Sequence, residues 1–197
     1  MEKTIKSEIK KWNNYDRCSS YHWFLYDTAE YYKNHTDYIL KYFSKFIPGS
    51  IVDVGCGDGL VSYKLNEIGF NVTGIDINNI AINVAKEKCP EINFILGNYM
   101  DNKFNTDYLL ASSVVEFFSL NPGAFNFISK AYQETEKSLL FSFKDKDTKP
   151  TNAYGYLEYN KKDVDDICLL LKKQFSKEKF EYSIEQTGAF IYLQIEK

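Results

Sequence analysis

The chain reads as an α/β protein built on a doubly wound, mostly parallel sheet with helices on both faces. Two observations predict this. From residue 51 onward, short apolar runs alternate with stretches whose apolar residues recur at helical spacing. The first of those runs breaks into a turn with glycines at 55, 57 and 59. Alternating strand and helix signals imply a parallel sheet covered on both sides. The last two runs have no helix between them, so they pair as an antiparallel hairpin at one edge. At 197 residues the chain is long enough for one domain with a three-layer core. We expect a single domain over 1–197, with a helical N-terminal cap over 1–47 and a core over 48–197.

Residues from about Lys6 to Phe46 read as aromatic-rich helices, with breaks near Asn13-Asn14 and Asn34-His35. Tyr38, Ile39, Tyr42, Phe43 and Phe46 form one apolar stripe, and Pro48-Gly49 turns the chain into the first strand, 51–54. A helix with Val61, Leu65 and Ile68 on one face follows and ends at Gly69. Strand 71–75 closes on Asp76. The next helix, about 79–88, carries Ile80, Val84 and Ala85. Strands follow at 92–96 and 108–112. A helix starting near Pro122 buries Phe125, Ile128 and Ala131 or Tyr132, since proline suits a first helical turn. Strand 138–143 leads into a polar stretch, about 144–160, too long for an idle connection and read as a functional loop. A helix bearing Val164, Ile167, Cys168 and Leu171 and two strands near 178–185 and 189–196 complete seven strands.

Bulk properties exclude several classes. With 44% hydrophobic and 26% charged residues, the chain is a globular protein and not a disordered one. A net charge of −3 offers no global basic field, so no DNA partner is expected. The lysines at 3, 6, 10 and 11 and at 172 and 173 read as solvated helix faces. Cys18, Cys56, Cys89 and Cys168 match neither a zinc spacing nor a disulfide framework, and no metal triad of carboxylates or histidines is visible. The charged N-terminus lacks an apolar leader and nothing approaches a membrane span, so we expect a soluble cytoplasmic protein with no membrane partner.

The segment Ile51-Val52-Asp53-Val54-Gly55-Cys56-Gly57-Asp58-Gly59 carries the most chemistry. It is a buried strand, a tight turn where backbone approaches a ligand, and the start of a helix at Leu60-Val61. Asp53 and Asp58 flank the turn and would repel a pyrophosphate. A cofactor carrying an amino or sulfonium cation is favoured there instead. In a sheet of this type the ligand lies at the carboxyl ends of the strands, which aligns Asp53 to Gly59, Asp76, Asn98 and Ser112 along one crevice.

These residues resemble those of the class I S-adenosylmethionine-dependent methyltransferases, over most of the chain from about Ile51. VDVGCGDG (52–59) resembles the family's first motif, GIDIN (74–78) its second, INFILGNYMD (92–101) its third and TDYLLASSVVEFF (106–118) its fourth. The resemblance implies a Rossmann-like, seven-stranded fold with the last strand antiparallel and an N-terminal helical lid. It implies S-adenosylmethionine as cofactor and S-adenosylhomocysteine as product. Gly55, Cys56, Gly57 and Gly59 would pass beneath its methionine part and ribose. Asp53 would face the cationic groups, and Asp76, acceptor-only when ionised, would take the ribose hydroxyls. Ile77 would pack on the adenine. Asn98 stands where the family has Asp; with Tyr99 it either reads the adenine edge or forms a turn. Other departures are Glu116-Phe117, where many small-molecule members have Glu-His, and the Gln133 to Glu136 stretch in place of a Pro-Gly-Gly turn.

The resemblance leaves the acceptor open. The reaction is an in-line displacement, so alignment does most of the work, and a base is needed only for a hydroxyl or protonated amine. His22, in the aromatic stretch from Tyr15 to Tyr26, is the candidate base; the alternative is a hydrogen-bonded histidine on a packed helix face. His35, at the helix break, reads as a cap or surface residue. Tyr15 or Tyr21 would bond the cofactor's carboxylate, and Tyr154, Tyr156 and Tyr159 would line an acceptor pocket or pack on the surface. The expected activity is methyl transfer to a hydroxyl or amine of a small molecule, sugar or metabolite. The alternatives are a protein or RNA methyltransferase and an inactive cofactor-binding partner. The sequence leaves the oligomeric state undetermined.

Overall fold

A computed structural model describes residues 21–118, 120–145, 159–178 and 180–197. The readings placed on Tyr15, Cys18, the lysines at 3 to 11, Tyr154 and Tyr156 lie outside them. The chain divides into two compact units, Met1–Lys103 and Phe104–Lys197.

The described part of the first unit begins with two helices, α1 (Tyr21–Thr28) and α2 (Glu30–Phe43). The expected break at Asn34-His35 does not occur; α2 runs through it and the chain bends at Ala29. Asn and His weaken a helix without stopping it. Lys33 and Asp37 pair at i,i+4 across the site, and Ile39, Tyr42 and Phe43 continue a buried stripe. His35 is therefore a buried mid-helix residue and not a cap.

Strand β1 (Ser50–Val54), helix α3 (Leu60–Glu67), strand β2 (Asn71–Asp76), helix α4 (Asn79–Lys88) and strand β3 (Asn93–Leu96) form the rest. The strands are parallel in the order β3-β2-β1, with Asp53 level with Gly74 and Asp76 with Leu96. The Asn78 side chain caps α4 by accepting from Ile80 N and Ala81 N, which fixes the helix start at the expected residue. Two helix faces differ from expectation. Ile68 lies past the end of α3 and is exposed, and α4 buries Ala81, Ile82 and Ala85 while Ile80 points outward. Apolar character alone misassigned these isoleucines; their place relative to the helix ends decides their burial.

The second unit holds β4 (Thr106–Ser112), α5 (Phe125–Glu134), β5 (Thr135–Lys144), α6 (Lys161–Gln174), β6 (Glu181–Thr187) and β7 (Phe190–Glu196). Strand β5 is parallel to β4 and antiparallel to β7, which pairs antiparallel with β6 as the expected hairpin. Among the described residues the first unit thus contains three strands and the second four. Pro122 sits in a π-helical turn, Leu120–Ala124, so α5 begins later and buries Phe127, Ile128, Ala131 and Tyr132, while Phe125 is only half-buried. No turn separates α5 from β5; Glu134 ends one and Thr135 begins the other. Helix α6 starts at a reciprocal Asn160/Asp163 capping box and buries Val164, Ile167, Cys168 and Leu171 as expected.

Candidate functional site

The turn after β1 is shaped by hydrogen bonds that reach β2. Gly55 N donates to Ile75 O at 2.7 Å, and Gly57 N donates to Asp76 Oδ2 at 2.9 Å. The other Asp76 oxygen accepts from Asn78 N at 2.8 Å. Asp76 thereby clamps the turn and the loop into α4 together, with a further backbone hydrogen bond from Ile77. Burial raises the Asp76 carboxyl above its usual range, against the lowering effect of the Asn78 and Gly57 amides.

Gly57 and Gly59 adopt the left-handed region, with φ of 56° and 82°. A Cβ at Gly57 would stand 2.7 Å from His22 Cε1, and one at Gly59 would stand 3.0 Å from Ala85 Cβ and Phe94 Cζ. The space beside these glycines is thus filled by protein. Gly74 in β2 has the same need, since a Cβ there would stand 2.6 Å from Phe94 Cδ1 and 2.9 Å from Cys56 Sγ. The Phe94 ring thus crowds both positions, tightly at Gly74 and at the edge of contact at Gly59, where the left-handed backbone itself favours glycine.

His22 comes from α1 to lie against Gly57. Its backbone N–H donates to Asp58 Oδ2 at 2.8 Å, and its Nδ1 lies 3.0 Å from Asp58 Oδ1. A carboxylate only accepts, so Nδ1 carries the hydrogen. The imidazole side chain is 36% exposed, whereas Asp58 is buried. Trp23 Nε1 donates to Asp58 O at 3.1 Å, giving the same turn a second anchor to α1. Burial alone would lower the His22 pKa; the Asp58 hydrogen bond and the charges of Asp58, Asp76 and Asp53 outweigh it and raise it.

Asp53 is buried at the end of β1 and accepts from Ser62 Oγ at 2.6 Å. Burial pushes its carboxyl up to about 7, helped by the Asp76 charge and opposed by Ser62 and His22. Cys56 is buried, and burial with the neighbouring acids raises its thiol well above the ordinary range, so it stays a neutral turn residue.

The remaining predicted residues fall in defined places. Ile77 is half-buried after β2. Asn98 caps a short 3-10 turn, Tyr99–Asp101: Oδ1 accepts from Met100 N at 3.0 Å, and Nδ2 donates to Asp101 Oδ2 at 3.2 Å. Of its two expected roles, the turn is the one this geometry displays. Tyr99 is buried. Tyr21 belongs to α1. In the second unit Ser112 ends β4 and its Oγ accepts from Ser142 Oγ at 3.1 Å. Glu116 is buried, accepts from Lys144 N, and burial pushes its carboxyl up to about 7. Tyr159 is fully buried, its hydroxyl donating toward Val115 O and Phe118 O at 3.4 and 3.2 Å. It neither lines an open pocket nor packs on the surface, because it is enclosed and two carbonyls inside the unit take its hydroxyl.

Sequence reasoning missed Ser62 as the partner of Asp53 and Asp58 as the partner of His22. The serine sits nine residues on, one turn into α3, and was legible as a polar residue on a buried helix face; the histidine contact spans 36 residues and left no local signal. It also missed Ser113, which carries φ of 54° where β4 ends. Among the described residues, no helix is long and apolar enough to cross a membrane.

Residues 51–134 match a family model described as a methyltransferase domain. A ubiquinone biosynthesis O-methyltransferase of Nitrosomonas europaea is 33% identical over 85 residues, 41% of this chain and 34% of that protein. Its counterpart in Colwellia psychrerythraea is 51% identical over 41 residues, 21% of this chain and 17% of that protein. The chain spans about a third or less of the length of these curated relatives. Among solved structures, magnesium protoporphyrin IX methyltransferase from Synechocystis with bound SAM superposes with a TM-score of 0.73 at 17% identity, covering 98% of this chain and 97% of that one. The N-methyltransferase NodS from Bradyrhizobium japonicum, in complex with S-adenosylhomocysteine, gives 0.70 at 13% identity, covering 98% of both chains. These likenesses show the fold.

Proposed function

We propose that this chain, which carries a Rossmann-like class I methyltransferase domain over residues 51–134, binds S-adenosylmethionine at the turn after β1 and catalyses methyl transfer to a hydroxyl or amine of a small molecule. The observation that carries the reading is the clamp of Gly57 N on Asp76, which joins the glycine turn to the acid after β2. The cofactor supplies an electrophilic methyl group on a good leaving group. What the chain must add is orientation and charge balance.

In this reading Asp76, acceptor-only when ionised, takes the ribose hydroxyls. Asp53 loses its proton as a cation arrives, because a positive neighbour favours the carboxylate. Ile77 packs against the adenine, beside the turn that holds Asn98 and Tyr99. His22, in its neutral form, takes the proton of a hydroxyl acceptor on Nε2 while Asp58 fixes Nδ1–H. The whole chain works as one functional domain. The curated relatives, named O-methyltransferases, support a hydroxyl acceptor; the N-methyltransferase among the structural neighbours keeps the amine in view.

The test is calorimetry with S-adenosylmethionine and S-adenosylhomocysteine, followed by incubation with methyl-labelled cofactor and a size-fractionated cell extract. Binding of both ligands and label in the small-molecule fraction is expected. No heat with either ligand refutes the cofactor site, and label confined to protein or RNA refutes the acceptor class.

A further inference from the structure

We propose that His22 is a charge-sensing specificity residue: its imidazolium and the cofactor's sulfonium compete for one set of acids, so that protonating His22 shifts the site's preference from S-adenosylmethionine toward S-adenosylhomocysteine. The inference rests on the cofactor reading above and deepens it.

Three observations carry it. The ring lies against Gly57, the residue whose amide Asp76 holds, so a charge on it sits inside the glycine turn. The residue is held there at two points by the buried Asp58 carboxylate, which accepts from the His22 backbone N–H and from Nδ1 of the ring. The acids whose charge acts on it are Asp58, Asp76 and Asp53, the same three that make this turn favourable to a cofactor cation. The groups around it on other elements do not replace that field. From α2, Tyr32 stacks on it with centroids 5.6 Å apart, and His35 lies behind Tyr32. Cys56 stays neutral in the turn. Lys88 lies 5.0 Å from the Trp23 ring on α1, and Lys33 and Lys64 each lie 5.6 Å from the Tyr26 ring. The Asp37 and Glu67 carboxylates hold Lys33 and Lys64 above the usual lysine range, so these two stay charged while His22 and Asp53 change.

The two ligands share their α-amino and carboxylate groups and differ by the sulfonium methyl and its charge, so the change of their affinity ratio with pH isolates that charge. Two like charges within about 10 Å at an effective dielectric near 20 repel enough to change an affinity about tenfold. Neutral His22, present above its pKa, favours the sulfonium; the imidazolium, present below it, favours the thioether. A proton delivered to His22 during transfer to a hydroxyl matches the uncharged product for the same reason.

The experiment measures both affinities by calorimetry between about pH 6 and about pH 8.5, in wild type and His22→Gln. It also follows the His22 Cε1 proton by NMR in the two saturated complexes. In wild type, the ratio favouring S-adenosylmethionine should rise about tenfold across this range. His22→Gln should keep only the smaller dependence that Asp53 contributes. The NMR midpoint should be lower by about one pH unit with the sulfonium ligand. Equal midpoints in the two complexes, or an unchanged pH dependence in His22→Gln, overturn the proposal while leaving the cofactor site intact. Absence of binding by either ligand at every pH overturns both.

Discussion

The carboxylate of Asp76 holds the backbone N–H of Gly57 at 2.9 Å, fastening the turn after β1 to the end of β2. The same carboxylate accepts from Asn78 N at the start of α4. Asp76→Asn puts a donating NH2 group against one of those amides, and Asp76→Ala leaves both without their acceptor. Either change should lower cofactor affinity more than tenfold. Amide hydrogen exchange at Gly57 should quicken in both, and that readout separates loss of the clamp from loss of a ligand contact alone.

Asp53 sets stability against binding. Its folded pKa of about 7 lies above the ordinary aspartate value of 3.8, so between those values the folded protein holds a proton that the unfolded chain has lost. Stability therefore falls as pH rises through this window. Asp53→Asn, whose amide oxygen can still accept from Ser62, should remove that loss and raise the unfolding midpoint above pH 7 by several degrees. The same variant should bind S-adenosylmethionine at least tenfold more weakly, since it cannot become an anion when the cation arrives. Differential scanning fluorimetry with and without ligand reads both effects.

Glu116 makes a parallel prediction in the second unit. It is buried, its carboxyl is pushed up from 4.5 to about 7, and it accepts from Lys144 N. The sign is the same: the proton retained in the folded state means stability lost as pH climbs from about 4.5 through about 7. Glu116→Gln should flatten that part of the profile, with a gain of order 1–3 kcal/mol at alkaline pH relative to wild type. Urea titrations on either side of neutrality measure the difference, and equal slopes for variant and wild type count against it.

Strand positions and the turn were legible because local chemistry marks them. Gly, Pro, Asp and Asn punctuate the apolar runs, and Asn78 and Asn160 cap their helices where a polar residue precedes a periodic segment. The faces of α3 and α4 were harder to read, because Ile68 and Ile80 are apolar yet sit at helix ends that turn them outward. In the site, the acids and glycines were visible as residue types but their partners were not. Nothing in the spacing of His22 and Asp58, or of Phe94 and the glycines at 59 and 74, announces contact. Such pairs are made by tertiary packing.

That packing makes the last prediction, which distinguishes two reasons for glycine. At Gly74 a methyl group would meet the Phe94 ring and Cys56 Sγ, all inside 3 Å. Gly74→Ala should therefore cost about 1–3 kcal/mol through overpacking. Phe94→Leu, which opens space, should recover part of that loss in the double variant. At Gly57 a methyl group would meet the His22 ring at 2.7 Å and would also sit at φ 56°. His22→Ala relieves the clash but not the backbone strain, so Gly57→Ala should remain destabilising by about 1 kcal/mol or more even in that background. Phe94→Leu should leave the cost of Gly57→Ala unchanged. A coupling energy near zero for the first pair would mean that β2 shifts to absorb the methyl, and that Phe94 does not dictate the glycine there.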